Sequence, residues 1–411
     1  MISGPGRLGA VPAFEPFRAV RYAASHDLAR VTAPPYDVLS DTDVDELAAL
    51  DPHNVVRVDV PRGGDERYSE AAVTLNDWLA TGDLVTDVEP TFTIYRRRFT
   101  DATGQRRELS GVLGALEVVD EGSGEVLAHE RTTPKASTDR LELTRATHSN
   151  LSPVWCLSAY PGLSALLDDA GEPAGTVTVD GVEHVVERVS DPTRISEIRS
   201  AVASTPALIA DGHHRYAVSR QYRDERRAEG GDPGAELTLA FVGELVADQL
   251  SVEAIHRLYT GIDPDALADA LSERFDIEPA VGDLTPEVLG RMNDDARLVL
   301  VRPGGWDWLV PKPRAFDGLR ALDGLWLEET LADTTAEVTY QHGLDQTVGA
   351  VRRGVATAAV LIRPVSVEEI RRTAERGPRA QRGEGLLMPP KSTYFTPKLR
   401  TGLVIRDLST G

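Results

Sequence analysis

The segment Ala207-Leu208-Ile209-Ala210-Asp211-Gly212-His213-His214-Arg215-Tyr216-Ala217 constrains the chain more than any other. Its four leading apolar residues read as a buried strand, and Gly212 supplies the permissive backbone of a sharp turn. Helical periodicity then runs from His213 to about Ala228. The start of such a helix offers unpaired N–H groups and the positive end of its dipole, which together favour an anion. Arg215 can grip phosphate oxygens in pairs, and His213 and His214 can donate hydrogen bonds or move a proton near neutral pH. The junction reads as a phosphate cradle of Asp211, Gly212, Arg215 and Tyr216, with the two histidines as catalytic candidates. An ordinary helix start with solvated side chains is the plainer alternative, but packing alone does not explain so many polar groups at one junction. Neighbouring histidines do not share a helix face, as an i, i+4 pair would, so no metal site is assigned.

At 411 residues the chain has room for two or three domains with substantial cores. Its 65 acidic residues outnumber 44 basic ones, giving a net charge of −21. That balance argues against a nucleic-acid partner, which needs a basic face. Only four of the basic residues are lysines: Lys135, Lys312, Lys391 and Lys398. An acidic, arginine-over-lysine composition resembles that of proteins from salt-loving archaea. Three of the four lysines fall in the densest polar motifs, which makes them candidate ligands. Cys156, the single cysteine, sits in an apolar run and is expected to be a buried small hydrophobe. No signal-peptide pattern or membrane-length apolar run is seen, so a soluble, cytoplasmic protein is expected.

In chain order, Ala33-Pro34-Pro35-Tyr36-Asp37 forms a rigid extended loop that either presents Tyr36 and Asp37 to a substrate or simply turns the chain. Ser40 or Asp41 caps a helix to about Leu50, and Asn54 to Val60 reads as a strand. A helix from about Glu66 to Ala80 follows. Strands at Thr91–Phe99 and Glu108–Val118 form a hairpin, and a helix is expected over Asp139–Thr147. Beyond a strand near residue 154, a hairpin at Asp180-Gly181 and a helix over Thr193–Ser204, the chain enters the cradle. Strands then follow at Glu236–Leu245 and Ser251–Leu258. Helices near 263–274 and 317–331 with strands near 297–302 and 307–311 suggest a smaller unit. A βαβα alternation follows from Val338 to about Arg376. The expected domains are 1–260, 261–335 and 336–411, the last returning to the main site. The fold class is mixed α/β with mixed sheets.

Two further polar stretches carry candidates. The first runs from His129 to Pro153. There Glu130 is a possible general base, Lys135 and Arg140 can neutralise phosphate charge, and Asn150 and Ser152 can hold substrate. A charged surface loop is the alternative. The second is Pro390-Lys391-Ser392-Thr393-Tyr394-Phe395-Thr396-Pro397-Lys398, a proline-bounded loop able to meet a phosphorylated ligand, or else an edge strand. Before it, Gly377–Gly385 is Gly- and Arg-rich, with the composition of a lid.

The cradle resembles the phosphate loops of sulfiredoxin, of ParB-like nucleotide-binding proteins and of free serine kinases. Ala-Pro-Pro-Tyr-Asp-Val, His-Glu-Arg-Thr with Pro-Lys and Asn-Leu-Ser-Pro, Ala-Asp-Gly-His-His-Arg-Tyr, and Pro-Lys-Ser-Thr-Tyr-Phe together resemble the family called domain of unknown function 1015, over nearly the whole chain. The resemblance implies a nucleotide-dependent phosphotransferase that uses ATP or ADP with Mg²⁺ and acts on a small hydroxylated metabolite such as serine. The resemblance maps no catalytic glutamate onto this chain; on the chemistry of the residues alone, Glu130 or Asp37 would be the base, and Tyr36 and Tyr394 would face substrate. A phosphatase-like hydrolase using His213 or His214, and a nucleotide sensor without turnover, remain open. The oligomeric state is not legible.

Overall fold

The computed structural model describes residues 11–101, 104–128, 137–375, 388 and 391–409. The chain divides into two compact units. The first holds the described residues through Leu250, residues 373–375, and those from Pro397 onward. The second holds Ser251–Arg372, residue 388 and residues 391–396. This differs from the expected partition: residues 337–361 complete the sheet of the second unit and do not stand apart.

The first unit begins with β1 (Phe14–Glu15), β2 (Val20–Tyr22), α1 (Leu28–Val31), α2 (Asp41–Leu50), α3 (Val56–Asp59), α4 (Arg67–Thr81) and β3 (Leu84–Thr86). It continues with β4 (Phe92–Thr100), β5 (Arg106–Glu117), β6 (Val126–Ala128), α5 (Ser137–Thr147), β7 (Ser149–Asn150) and β8 (Val154–Ser158). Then come α6 (Leu163–Leu167), β9 (Glu172–Val179), β10 (Val182–Val189), α7 (Pro192–Val202), β11 (Ala207–Asp211), α8 (His213–Ala228) and β12 (Leu237–Glu244). Nine strands among the described residues form one mixed sheet in the order β6-β11-β8-β12-β5-β4-β10-β9, with β1 on β5. β6 runs parallel to β11 and β8 parallel to β12, while the other pairs are antiparallel.

Strand alternation builds the core. Val154 and Cys156 of β8 join Ile94, Val112, Ile209 and Val242 in one cluster beneath α6 and α7. Trp155, between them in sequence, meets Phe241 edge-on. Cys156 is buried, as expected.

Helix ends follow the local chemistry. Ser40 and Asp43 form a capping box at α2, and Gly82 closes α4 at φ +83°. The expected strand over 54–60 is instead the short helix α3. Val55, Val56 and Val58 are fully buried, and the Asn54 side chain accepts the Val56 N–H at 3.0 Å while donating to the Arg30 carbonyl at 2.6 Å. Packing and this Asn54 side-chain turn override the strand preference of the valines.

The second unit contains β13 (Ser251–Glu253), β14 (Ile255–Thr260), α9 (Pro264–Ser272), β15 (Phe275–Pro279), α10 (Pro286–Asp294), β16 (Leu298–Arg302), β17 (Gly305–Pro311), α11 (Asp323–Leu331), β18 (Glu337–His342), α12 (Leu344–Arg352), β19 (Ala358–Leu361), α13 (Val367–Glu375, entering from this unit) and β20 (Tyr394–Thr396). Its six-stranded sheet has the order β15-β17-β16-β19-β14-β18. β15 and α10 have no counterpart in the sequence reading, and α11 starts at Asp323, several residues later than expected. The chain closes in the first unit with β21 (Arg406–Asp407), which pairs with β7. No helix among the described residues is long and apolar enough to cross a membrane.

Candidate functional site

The strand–turn–helix at 207–228 forms as its residues dictate. β11 ends at Asp211, Gly212 takes the left-handed conformation at φ +85°, and α8 starts at His213. The register of β11 against β8 shifts between Ile209 and Asp211, a bulge that re-aims the aspartate at the strand's end.

Asp211 is the hub. Lys398 Nζ donates to its Oδ1 at 2.8 Å and Arg215 Nη2 to its Oδ2 at 2.7 Å. Burial alone would raise this carboxyl, but Lys398 and Arg215, with His213 beside them, outweigh it and hold the group well below the usual carboxylate range. Asp211 is therefore an ionised anchor and not a proton acceptor near neutral pH. Arg215 also donates to the Pro153 carbonyl and lies 3.7 Å from Asp37, whose side chain is one-third exposed. His213 and His214 open α8, both partly buried.

A residue outside the sequence reading completes this group. Arg97, the middle residue of Arg96-Arg97-Arg98 on β4, is fully buried and donates to the carbonyl of Pro397, next to Lys398. Its guanidinium lies 4.1 Å over the Trp155 ring, burial pushes its pKa down to about 10, and Asp211 partly counters that shift. Arg97 Nε and Nη2 have no hydrogen-bond partner among the described residues. The signal was an arginine run in a strand, where alternation sends the middle residue to the opposite face.

Alongside, a narrow cavity of about 50 Å³ is lined by Tyr36, Asp59, Arg140, Asn150, Ser152 and Arg215, among others. Arg140 stacks over the Tyr36 ring at 4.3 Å and is balanced by Asp59 at 3.3 Å and Asp139 at 2.6 Å. Burial pushes the Tyr36 hydroxyl up to about 12 and raises the Asp59 carboxyl. Pockets for drug-sized ligands run to roughly 300–1,000 Å³, so this cavity admits a few small polar groups and not a nucleotide base.

The structure thus brings Tyr36, Asp37, Arg140, Asn150, Ser152, Asp211, Arg215 and Lys398 into one unit. Some have structural duties. Asn150 Oδ1 accepts the Leu239 N–H at 2.9 Å, and Ser152 Oγ lies 2.8 Å from Thr401 Oγ1. Tyr216 turns away from the cradle it was expected to line: its hydroxyl donates to the Glu117 carbonyl and accepts the Val119 N–H, leaving no donor for a phosphate. Lys391, Ser392, Thr393 and Tyr394 belong to the second unit, where the Lys391 carbonyl accepts from Arg257 and the Tyr394 ring stacks on His342 at 4.5 Å. Glu130, Lys135 and the segment 377–385 lie outside the described residues.

Fold and site together define a mixed α/β protein with a cation-rich helix start at a strand end. The sequence pattern of the family described as "Protein of unknown function (DUF1015)" matches residues 14–345, and the chain belongs to that family. No curated protein matches. Among solved structures, the chain is similar to a conserved hypothetical protein from Pyrococcus furiosus (13% identity, 70% of this chain and 90% of that one, TM-score 0.36). It is also similar to a free serine kinase in complex with AMP (13%, 70% and 87%, 0.36) and to SbnI with C-terminal truncation from Staphylococcus aureus (12%, 70% and 84%, 0.37).

Proposed function

We propose that the protein is a nucleotide-dependent phosphotransferase acting on a small hydroxylated metabolite, with serine the simplest amino-acid acceptor to try. The observation that carries this reading is the pairing of Lys398 and Arg215 with one carboxylate, Asp211, at the start of α8, with buried Arg97 on the Pro397 carbonyl next to Lys398. Two Arg97 nitrogens lack partners among the described residues, in a chain whose net charge is −21. Buried cations in excess of their anions favour an anionic ligand, and the α8 N-terminus favours a phosphate.

In this reading phosphate oxygens meet the first N–H groups of α8 and the Lys398 ammonium. The acceptor hydroxyl lies toward Tyr36, Asn150 and Ser152. Asp37 or Glu130 takes the hydroxyl proton as the oxygen forms its bond to phosphorus and the nucleotide's bridging oxygen leaves. Asp211 does not fit as a Mg²⁺ ligand, because both its oxygens face cations. With Glu130 as the base, Asp37, one-third exposed, would be the carboxylate that holds Mg²⁺, and the ion would offset phosphate charge.

Phosphorus NMR of the protein with Mg²⁺, ATP or ADP, and serine in concentrated KCl tests the proposal, with Lys398→Met as control. A new phosphomonoester signal that disappears in the variant is expected. Free phosphate alone would make the protein a hydrolase, and nucleotide binding without any product would make it a sensor.

A further inference from the structure

We infer a second site, separate from the Asp211 group, that binds one divalent transition-metal ion of the zinc type through His26, His53 and Asp83. The three come from different loops of the first unit: His26 before α1, His53 after α2, and Asp83 just past Gly82 at the end of α4. One ligand atom from each lies within 4.8 Å of the others. His26 Nε2 is 3.0 Å from Asp83 Oδ1, and His53 Nε2 is 3.5 Å from Asp83 Oδ2. Two ligand atoms about 2.0–2.1 Å from a tetrahedral zinc ion stand about 3.3 Å apart. Both spacings lie near such an edge, one to each oxygen of Asp83, as for a carboxylate that could meet one ion with either or both of its oxygens.

The surroundings support this assignment. The other ring nitrogen of His53, Nδ1, lies 3.5 Å from Asp51 Oδ1, which also accepts the His53 backbone N–H at 2.9 Å and so sets a carboxylate behind the imidazole, on the side where one supports a metal-binding histidine. Thr81 Oγ1 donates to Asp83 Oδ2, and Tyr22 donates its hydroxyl proton to the His53 carbonyl at 2.6 Å. Trp78 packs on the His53 ring with centroids 5.7 Å apart. The ligand rings are thus oriented before any ion arrives. Two imidazoles and one carboxylate suit zinc, cobalt or iron(II), not the oxygen-seeking Mg²⁺ or Ca²⁺. His53 and Asp83 side chains remain 31% and 25% exposed, so water can complete the coordination. Because the ligands tie together three loops among short helices, the ion would act as a staple for this part of the fold.

Cobalt(II) titration of the full chain tests the site. One equivalent with a visible d–d absorption band, displaced by zinc(II), is expected, together with a higher melting temperature in zinc. His26→Gln and His53→Gln should each abolish the band while keeping the far-UV circular dichroism of the parent. Asp51→Asn, which leaves all three ligands in place, should weaken affinity by about 10–100-fold. With nine histidines in the chain, stray binding is the rival explanation. The absence of a band, or a band unchanged in both histidine variants, would overturn the assignment.

Discussion

At the residue scale, the central question is how a carboxylate, an ammonium and two guanidinium groups share a largely buried corner. Asp211 satisfies Lys398 and Arg215 at once, so the two sides of the network differ in what their loss leaves behind. Asp211→Asn removes the carboxylate that both cations contact, with Asp37 still 3.7 Å from Arg215, and should destabilise the fold by about 3–5 kcal/mol, the range for a broken buried pair. Lys398→Met keeps the Asp211–Arg215 pair and should cost less, about 1.5–3 kcal/mol for a lost hydrogen bond to a charged group. Urea unfolding of the two variants should give that order. The reverse order would mean that Asp211 does not anchor the network.

At the scale of elements, the turn between β11 and α8 depends on one glycine. A Cβ at position 212 would sit 2.9 Å from Arg215 Nε, and φ +85° disfavours any side chain there. Gly212→Ala should therefore destabilise the protein by about 1–3 kcal/mol, push the Arg215 guanidinium off Asp211, and weaken phosphate binding in a calorimetric titration. This junction was legible because its signals are local: an apolar run, a glycine and a helical period in eleven residues. The α2 cap and the β4–β5 hairpin were legible for the same reason. The α3 valines carry a local strand signal, and burial, which no local window contains, decides their helical state. The place of Arg97 depends on which sheet face is covered, which no local pattern encodes. Sequence spacing places Tyr216 in the cradle but says nothing of the β5 carbonyl that receives its hydroxyl. The ion pair between Asp211 and Lys398, 187 positions apart, could not be read directly, although the scarcity of lysine pointed to Lys398.

At the scale of the whole molecule, the surplus of 21 negative charges repels itself in the folded state. Raising KCl from 0.1 M to 2 M should raise the melting temperature by a few degrees, since screening weakens that repulsion more than it weakens close ion pairs. A calorimetric scan that moved the other way would show that surface pairs dominate. The long separation of Asp211 and Lys398 also sets a schedule for synthesis. A ribosome adding about 5–20 residues per second needs roughly 10–40 s to travel from one to the other. Throughout that interval the nascent chain carries Asp211 and Arg215 without their ammonium partner, while all of the second unit is being made. The cation group is therefore assembled late, and a chain released before Lys398 has no means of completing it.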